Sequence, residues 1–179
     1  IDRRLAIMRS IYVWDWGVRL FHWSLVIAFF SNDWLIDDDS DLHEYVGYFV
    51  IALLAFRLIW GFLGLKHARF SEFPVSFEHC LGQIKDIALD RKHIHIGHTP
   101  LGSVMVYNLL LAIGMIGLSG YLMTTDMFWG MEWLEELHEG CVVWAEISII
   151  VHIAAVIFES KRTKVNLPKA MLNGVKVLP

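Results

Sequence analysis

Two histidines, His138 and His152, stand 14 residues apart in the last hydrophobic stretch of the chain. In an α-helix that spacing advances ~21 Å and returns to nearly the same face. Two imidazoles on one face, at two depths of a membrane-length helix, suit one kind of chemistry: each can ligate the metal of a redox cofactor near one membrane surface. One helix cannot supply both ligands of either centre, because groups ~21 Å apart cannot grip the same iron. Each histidine therefore needs a partner from another helix, and His22 and His43 are the candidates.

The elements that must position these residues are legible from composition. The 179 residues are 56% hydrophobic, with a mean hydropathy of +0.49, against ~45–50% apolar residues in an ordinary soluble domain. An all-α integral membrane four-helix bundle in a single domain is expected, with spans at about 18–36, 43–64, 101–123 and 138–158. Each span is near the ~20 residues needed to cross the hydrocarbon core.

Charge placement orients the spans. Lys and Arg occur before or at the edge of the first span (Arg3, Arg4, Arg9, Arg19), in the loop 65–100 (Lys66, Arg69, Lys85, Arg91, Lys92) and in the tail 159–179 (Lys161, Arg162, Lys164, Lys169, Lys176). The loops 37–42 and 124–137 contain none. The positive-inside rule then predicts that both termini and the loop 65–100 are cytoplasmic. Trp14, Trp16, Trp23 and Trp60 would mark the inner interface, and Trp34, Trp129 and Trp133 the outer one. The net charge of -4 decides little beside this asymmetry. Cys80 and Cys141 form no C-x-x-C-H and no metal-type spacing, which argues against covalent haem and cysteine-ligated clusters. No cleavable signal peptide is read in the opening residues, and Met8 is a candidate native start.

Two short helices are expected outside the spans. Phe77, Cys80, Leu81, Ile84, Ile87 and Ala88 repeat at helical spacing after Ser76, a suitable cap, and predict an interfacial amphipathic helix. Asn166 and Pro168 open a second helix that ends near Gly174.

Topology sorts the histidines by depth. The first span runs outward and the fourth inward, so His22 and His152 share the inner level, while His43 and His138 share the outer one. The predicted pairs are His22 with His152 and His43 with His138, each gripping the iron of one haem b across an apolar slot between helices. Gly47 and the run Gly114, Gly117, Gly120 are expected to make room for a macrocycle. Arg57, 14 residues after His43, is expected with Arg19 to neutralise the propionates of the inner haem. Glu146, between the two levels, is read as making an interhelical hydrogen bond, with Asn108 as a candidate partner, ahead of a proton route or a quinone contact. His93, His95 and His98 look metal-like but have no supporting carboxylates at helical spacing.

The sequence resembles the bacterial cytochrome b561 family, which includes the cytochrome b subunits of nickel-iron hydrogenases. The resemblance rests on the run from Val13 through Trp14, Asp15, Trp16, Gly17, Arg19 and His22 to Trp23, on Leu42, His43 and Gly47, and on Phe56, Arg57, Trp60 and Gly61. It continues in His67 to Phe70, Gly97 to Gly102, and Leu137, His138 and Glu139 with His152, and ends in the basic tail around Lys169. It covers almost the whole chain. It implies a four-helix di-haem b cytochrome of the bacterial inner membrane, with ligands on helices one, two and four, that exchanges electrons with the quinone pool.

The leading reading is electron transfer between membrane quinone and a periplasmic redox partner, a c-type cytochrome or a dehydrogenase subunit. An acidic outer surface suits a basic partner. A second reading, suggested by the same family, is a superoxide:ubiquinone oxidoreductase; the absence of outer Lys and Arg counts against it, since superoxide is an anion. A third is a haem-free transporter or scaffold, which lacks a second intramembrane acid near Glu146. Membrane lipid is a partner in every case, a homodimer is compatible with the plan, and no nucleic-acid partner is expected.

Overall fold

The computed structural model describes residues 9–179, so Arg3, Arg4 and Met8 lie outside the described residues. Four long helices dominate. α1 (Trp16–Trp34) starts where the Asp15 carboxylate accepts the Val18 N–H at 2.9 Å. α2 (Asp41–Leu63) is capped by Ser40, with Asp41 and Glu44 in its first turn, a placement the helix dipole favours. After two single turns of 3-10 helix, Lys66–Ala68 and Phe70–Glu72, comes the short α3 (Phe77–Ala88), capped by Ser76 as its sequence predicts. α4 (Pro100–Met123) opens with Thr99 as cap and Pro100 in its first turn. α5 (Glu132–Thr163) ends at Lys164 in the left-handed region, and α6 (Leu167–Asn173) runs from its Asn166 cap to Gly174 at φ 85°.

All four long helices contribute to one apolar cluster: Ala28 and Phe29 from α1, Val50 from α2, Ala112 and Ile113 from α4, and Ala145 from α5. The closest backbone packing joins α1 to α2, α2 to α4 and α4 to α5. α5 therefore meets α1 and α2 mainly through side chains, across wider gaps.

Three helices are long and apolar enough to cross a membrane: α2, α4 and α5. α1 is not among them. Its 19 residues include Arg19, His22, Asn32 and Asp33, which lower its hydropathy. The helix of the last stretch is also longer than the expected 138–158, covering 32 residues, because its flanks hold no proline to stop it.

The ends of the chain form a clasp that the sequence reading did not anticipate. β1 (Arg9–Tyr12) pairs antiparallel with β2 (Val175–Leu178), Arg9 opposite Leu178 and Tyr12 opposite Val175. Beneath it a second cluster joins Val13, Trp14 and Val18 to Ala68 and Ala170. On α3 the buried residue is polar: Gln83 accepts the Leu101 N–H at 2.9 Å. Phe77, Leu81 and Ile84 face outward, as a helix seated on a membrane surface requires.

Candidate functional site

At one end of the bundle His43 of α2 and His138 of α5 face each other with ring centroids 6.5 Å apart and planes at 62°. Two metal–imidazole bonds of about 2 Å, plus about 1 Å from each nitrogen to its ring centre, would hold centroids roughly 6 Å apart. The observed gap therefore fits one metal between the two rings.

The tautomer of His138 is set by Ser119 of α4. The Ser119 hydroxyl donates to the Met115 carbonyl at 2.7 Å, so its oxygen is left to accept from His138 Nδ1 at 3.0 Å. A protonated Nδ1 leaves the Nε2 lone pair free, as a metal ligand requires. Sequence reasoning missed Ser119, whose only signal was its place one residue before Gly120. The glycines of α4 lie at its contacts with α2 and α5. A Cβ on Gly120 would sit 3.2 Å from His138, one on Gly117 2.8 Å from Ile51, and one on Gly114 3.5 Å from Leu54. Gly120 and Gly117 thus allow α4 to approach α5 and α2 closely, while Gly114 makes ordinary contact and lines, with Gly117, an apolar cavity beside Ile51 and Tyr121. Gly47 does have open space beside it: a Cβ added there would meet nothing within 4 Å.

At the other end His22 of α1 and His152 of α5 lie close enough to interact electrostatically. The Nδ1 atoms of His22 and His43 are buried with no hydrogen-bond partner among the described residues. Buried polar atoms are rarely left so. Asp38 stands 3.7 Å from His43 Nδ1, too far for a direct hydrogen bond.

Arg57 is 3% exposed. Its guanidinium carbon lies 4.7 Å from the centre of the Phe70 ring, and its NH1 has no partner among the described residues. A buried guanidinium with a free donor suits an anionic group. Arg19 also has a buried, unpartnered Nε, and its NH1 reaches the α6 terminus, 2.9 Å from where a Gly174 Cβ would stand. Asp15, 2% exposed, accepts from Trp60 Nε1 at 3.1 and 3.2 Å and attracts Arg57. His98 sits between Trp14 and Phe73, at ring distances of 4.7 and 4.3 Å, within electrostatic reach of Arg57 and His152. Arg57, Trp60 and His98 thus belong to one neighbourhood.

Glu146 makes an interhelical hydrogen bond, but with a different partner. Glu146 does not bond Asn108, which is used up between helices: it donates to Ser148 Oγ at 2.8 Å and accepts from Trp144 Nε1 at 3.1 Å. Glu146 accepts instead from Trp34 Nε1 at 3.4 Å and stands beside Asp33 of α1. The second acid that a transporter reading lacked is therefore present. Within the His93, His95, His98 run, His93 pairs with Asp86 at 2.7 Å while His98 turns into the aromatic cage.

Comparisons with curated proteins and with solved structures find no match. A family model described as prokaryotic cytochrome b561 matches residues 13–174. That span takes in all four long helices and every histidine considered above. The chain therefore belongs to the prokaryotic cytochrome b561 family, whose members are membrane b-type cytochromes of electron transfer.

Proposed function

We propose that this protein is a four-helix di-haem b cytochrome of the bacterial inner membrane, passing electrons between the quinone pool and a periplasmic redox partner. α1 serves as the fourth span, its polar residues turned to the cofactors and to the membrane surfaces. His43 and His138 hold an outer haem and His22 and His152 an inner one, with Arg57 and Arg19 facing the inner propionates. The observation that carries this reading is the His43 and His138 pair at 6.5 Å, with Ser119 fixing the tautomer of His138. The two pairs span α2/α5 and α1/α5, helix pairs outside the closest backbone packing.

Bound haem b would supply a one-electron iron centre at each level. The chain's own residues orient the imidazoles, balance the propionate charge and exclude water from the slots. Quinone is assigned to the inner neighbourhood of Arg57, Trp60 and His98. The periplasmic partner, a c-type cytochrome or a dehydrogenase subunit, docks on the acidic outer loops, where Asp38 is 86% exposed and Asp37, Asp39, Glu135 and Glu136 are also exposed. Both termini and the loop 65–100 then face the cytoplasm, by the positive-inside rule.

The test is oxidation of quinol by the purified, haem-loaded protein, followed through its haem spectrum, with and without a basic cytochrome c as acceptor. Quinol-driven haem reduction, with transfer to the acceptor slowed by salt, supports the reading. Haem that neither quinol nor quinone alters would overturn the quinone assignment.

A further inference from the structure

Lys176 is the one lysine among the described residues that is buried, at 4% exposure, and lysine is seldom enclosed unless its charge is met. It lies on β2 opposite Ile11 of β1. Its ammonium donates to the backbone carbonyls of His95 at 3.2 Å and Gly97 at 2.8 Å, and lies 5.3 Å from the centre of the Trp14 ring. Trp14 in turn carries His98 on its face and donates its backbone N–H to Gly174 at 3.1 Å. One side chain thus connects the C-terminal strand, the loop before α4 and the residue that precedes the α1 cap. His98 is within electrostatic reach of Arg57 and His152, and Glu159 of α5 attracts the ammonium.

We propose that Lys176 is a positioning residue for the inner end of the bundle, holding the 95–98 loop so that His98 stays between Trp14 and Phe73, beside Arg57 and His152. The proposal rests on the reading of an inner haem between His22 and His152. Two carbonyls and an aromatic face compensate the buried cation. A uniformly structural staple would stabilise the whole fold. A positioning residue acts selectively, on the inner centre and not on the outer.

The test uses the full-length, haem-loaded protein in detergent, with Lys176→Met and Lys176→Arg. Acylation of the native protein, read by mass spectrometry, should modify Lys176 at least tenfold more slowly than the exposed Lys169; equal rates would overturn the proposal. In redox titrations the inner haem is identified as the one lost in His22→Ala. Lys176→Met should move that haem alone, about tenfold in its ferrous-to-ferric ratio toward the ferric form, or about 59 mV for one electron, and Lys176→Arg should restore most of the shift. Unchanged potentials, or equal shifts of both haems, would overturn it. If Lys176→Met does not fold, the labelling and the arginine variant decide: wild-type potentials in Lys176→Arg with a protected wild-type lysine support the proposal, and a labelled lysine refutes it. Absence of haem from the wild type would refute the haem reading instead, with the labelling still judging the buried clasp.

Discussion

Ser119 Oγ of α4 lies 3.0 Å from His138 Nδ1 of α5, while its hydrogen is directed to the Met115 carbonyl. A hydroxyl that spends its proton on its own helix can offer a neighbouring imidazole only an acceptor. His138 Nδ1 is thereby engaged and its Nε2 lone pair left free. Partners of this kind fix ring orientation, and their loss commonly costs about 10–100-fold in metal affinity. Ser119→Ala should therefore weaken retention of the outer haem by about that factor and leave the inner haem in place, measured by haem-to-protein ratio during dilution.

Asn108 bridges α4 to Ser148 and Trp144 of α5. Hydrogen bonds between membrane helices are worth about 0.6 kcal/mol on average, so losing two of them costs about 1 kcal/mol. Asn108→Leu should lower unfolding stability by that amount in detergent titrations, with both haem spectra unchanged.

Gly61 faces the ring of Phe70, and a Cβ there would overlap it. Phe70 carries the Arg57 guanidinium on its face. Gly61→Ala should displace the ring, cost about 1–3 kcal/mol as overpacking does, and perturb the inner centre more than the outer. Thermal unfolding together with redox titration checks both parts.

Burial, reinforced by the charges of Lys176 and Arg57, lowers the pKa of His98 from 6.5 to about 3. The folded state thus binds fewer protons at this residue than the unfolded state, and stability falls as pH drops. The contribution is complete above pH 6.5 and is lost progressively between there and about 3. His98→Gln should flatten the acid limb of the stability profile in that window, as followed by denaturant unfolding at a series of pH values.

The helices and several of their caps were legible because their signals are local. Ser76, Asn166, Pro168 and Gly174 each act within a few residues. The pairing of His43 with His138 was legible because helical rise converts sequence distance into depth. What escaped depends on contacts between distant segments. β1 and β2 are short and paired across nearly the whole chain, so no turn announces them. Lys176 in a basic tail reads as a solvated charge until the strand carries it inward. The role of Ser119, and the move of Glu146 from Asn108 to Trp34, depend on helix rotation, which a mean hydropathy pattern does not specify. The glycine run of α4 was visible, but its neighbours Ile51, Leu54 and His138 were not.

The most direct measurement is a reduced-minus-oxidised visible spectrum with haem stoichiometry on the purified protein and on His22→Ala, His43→Ala, His138→Ala and His152→Ala. Two haems b per chain are predicted, one lost in both His43→Ala and His138→Ala, and the other lost in both His22→Ala and His152→Ala. No haem, a single haem, or losses that pair the histidines differently would contradict the di-haem assignment.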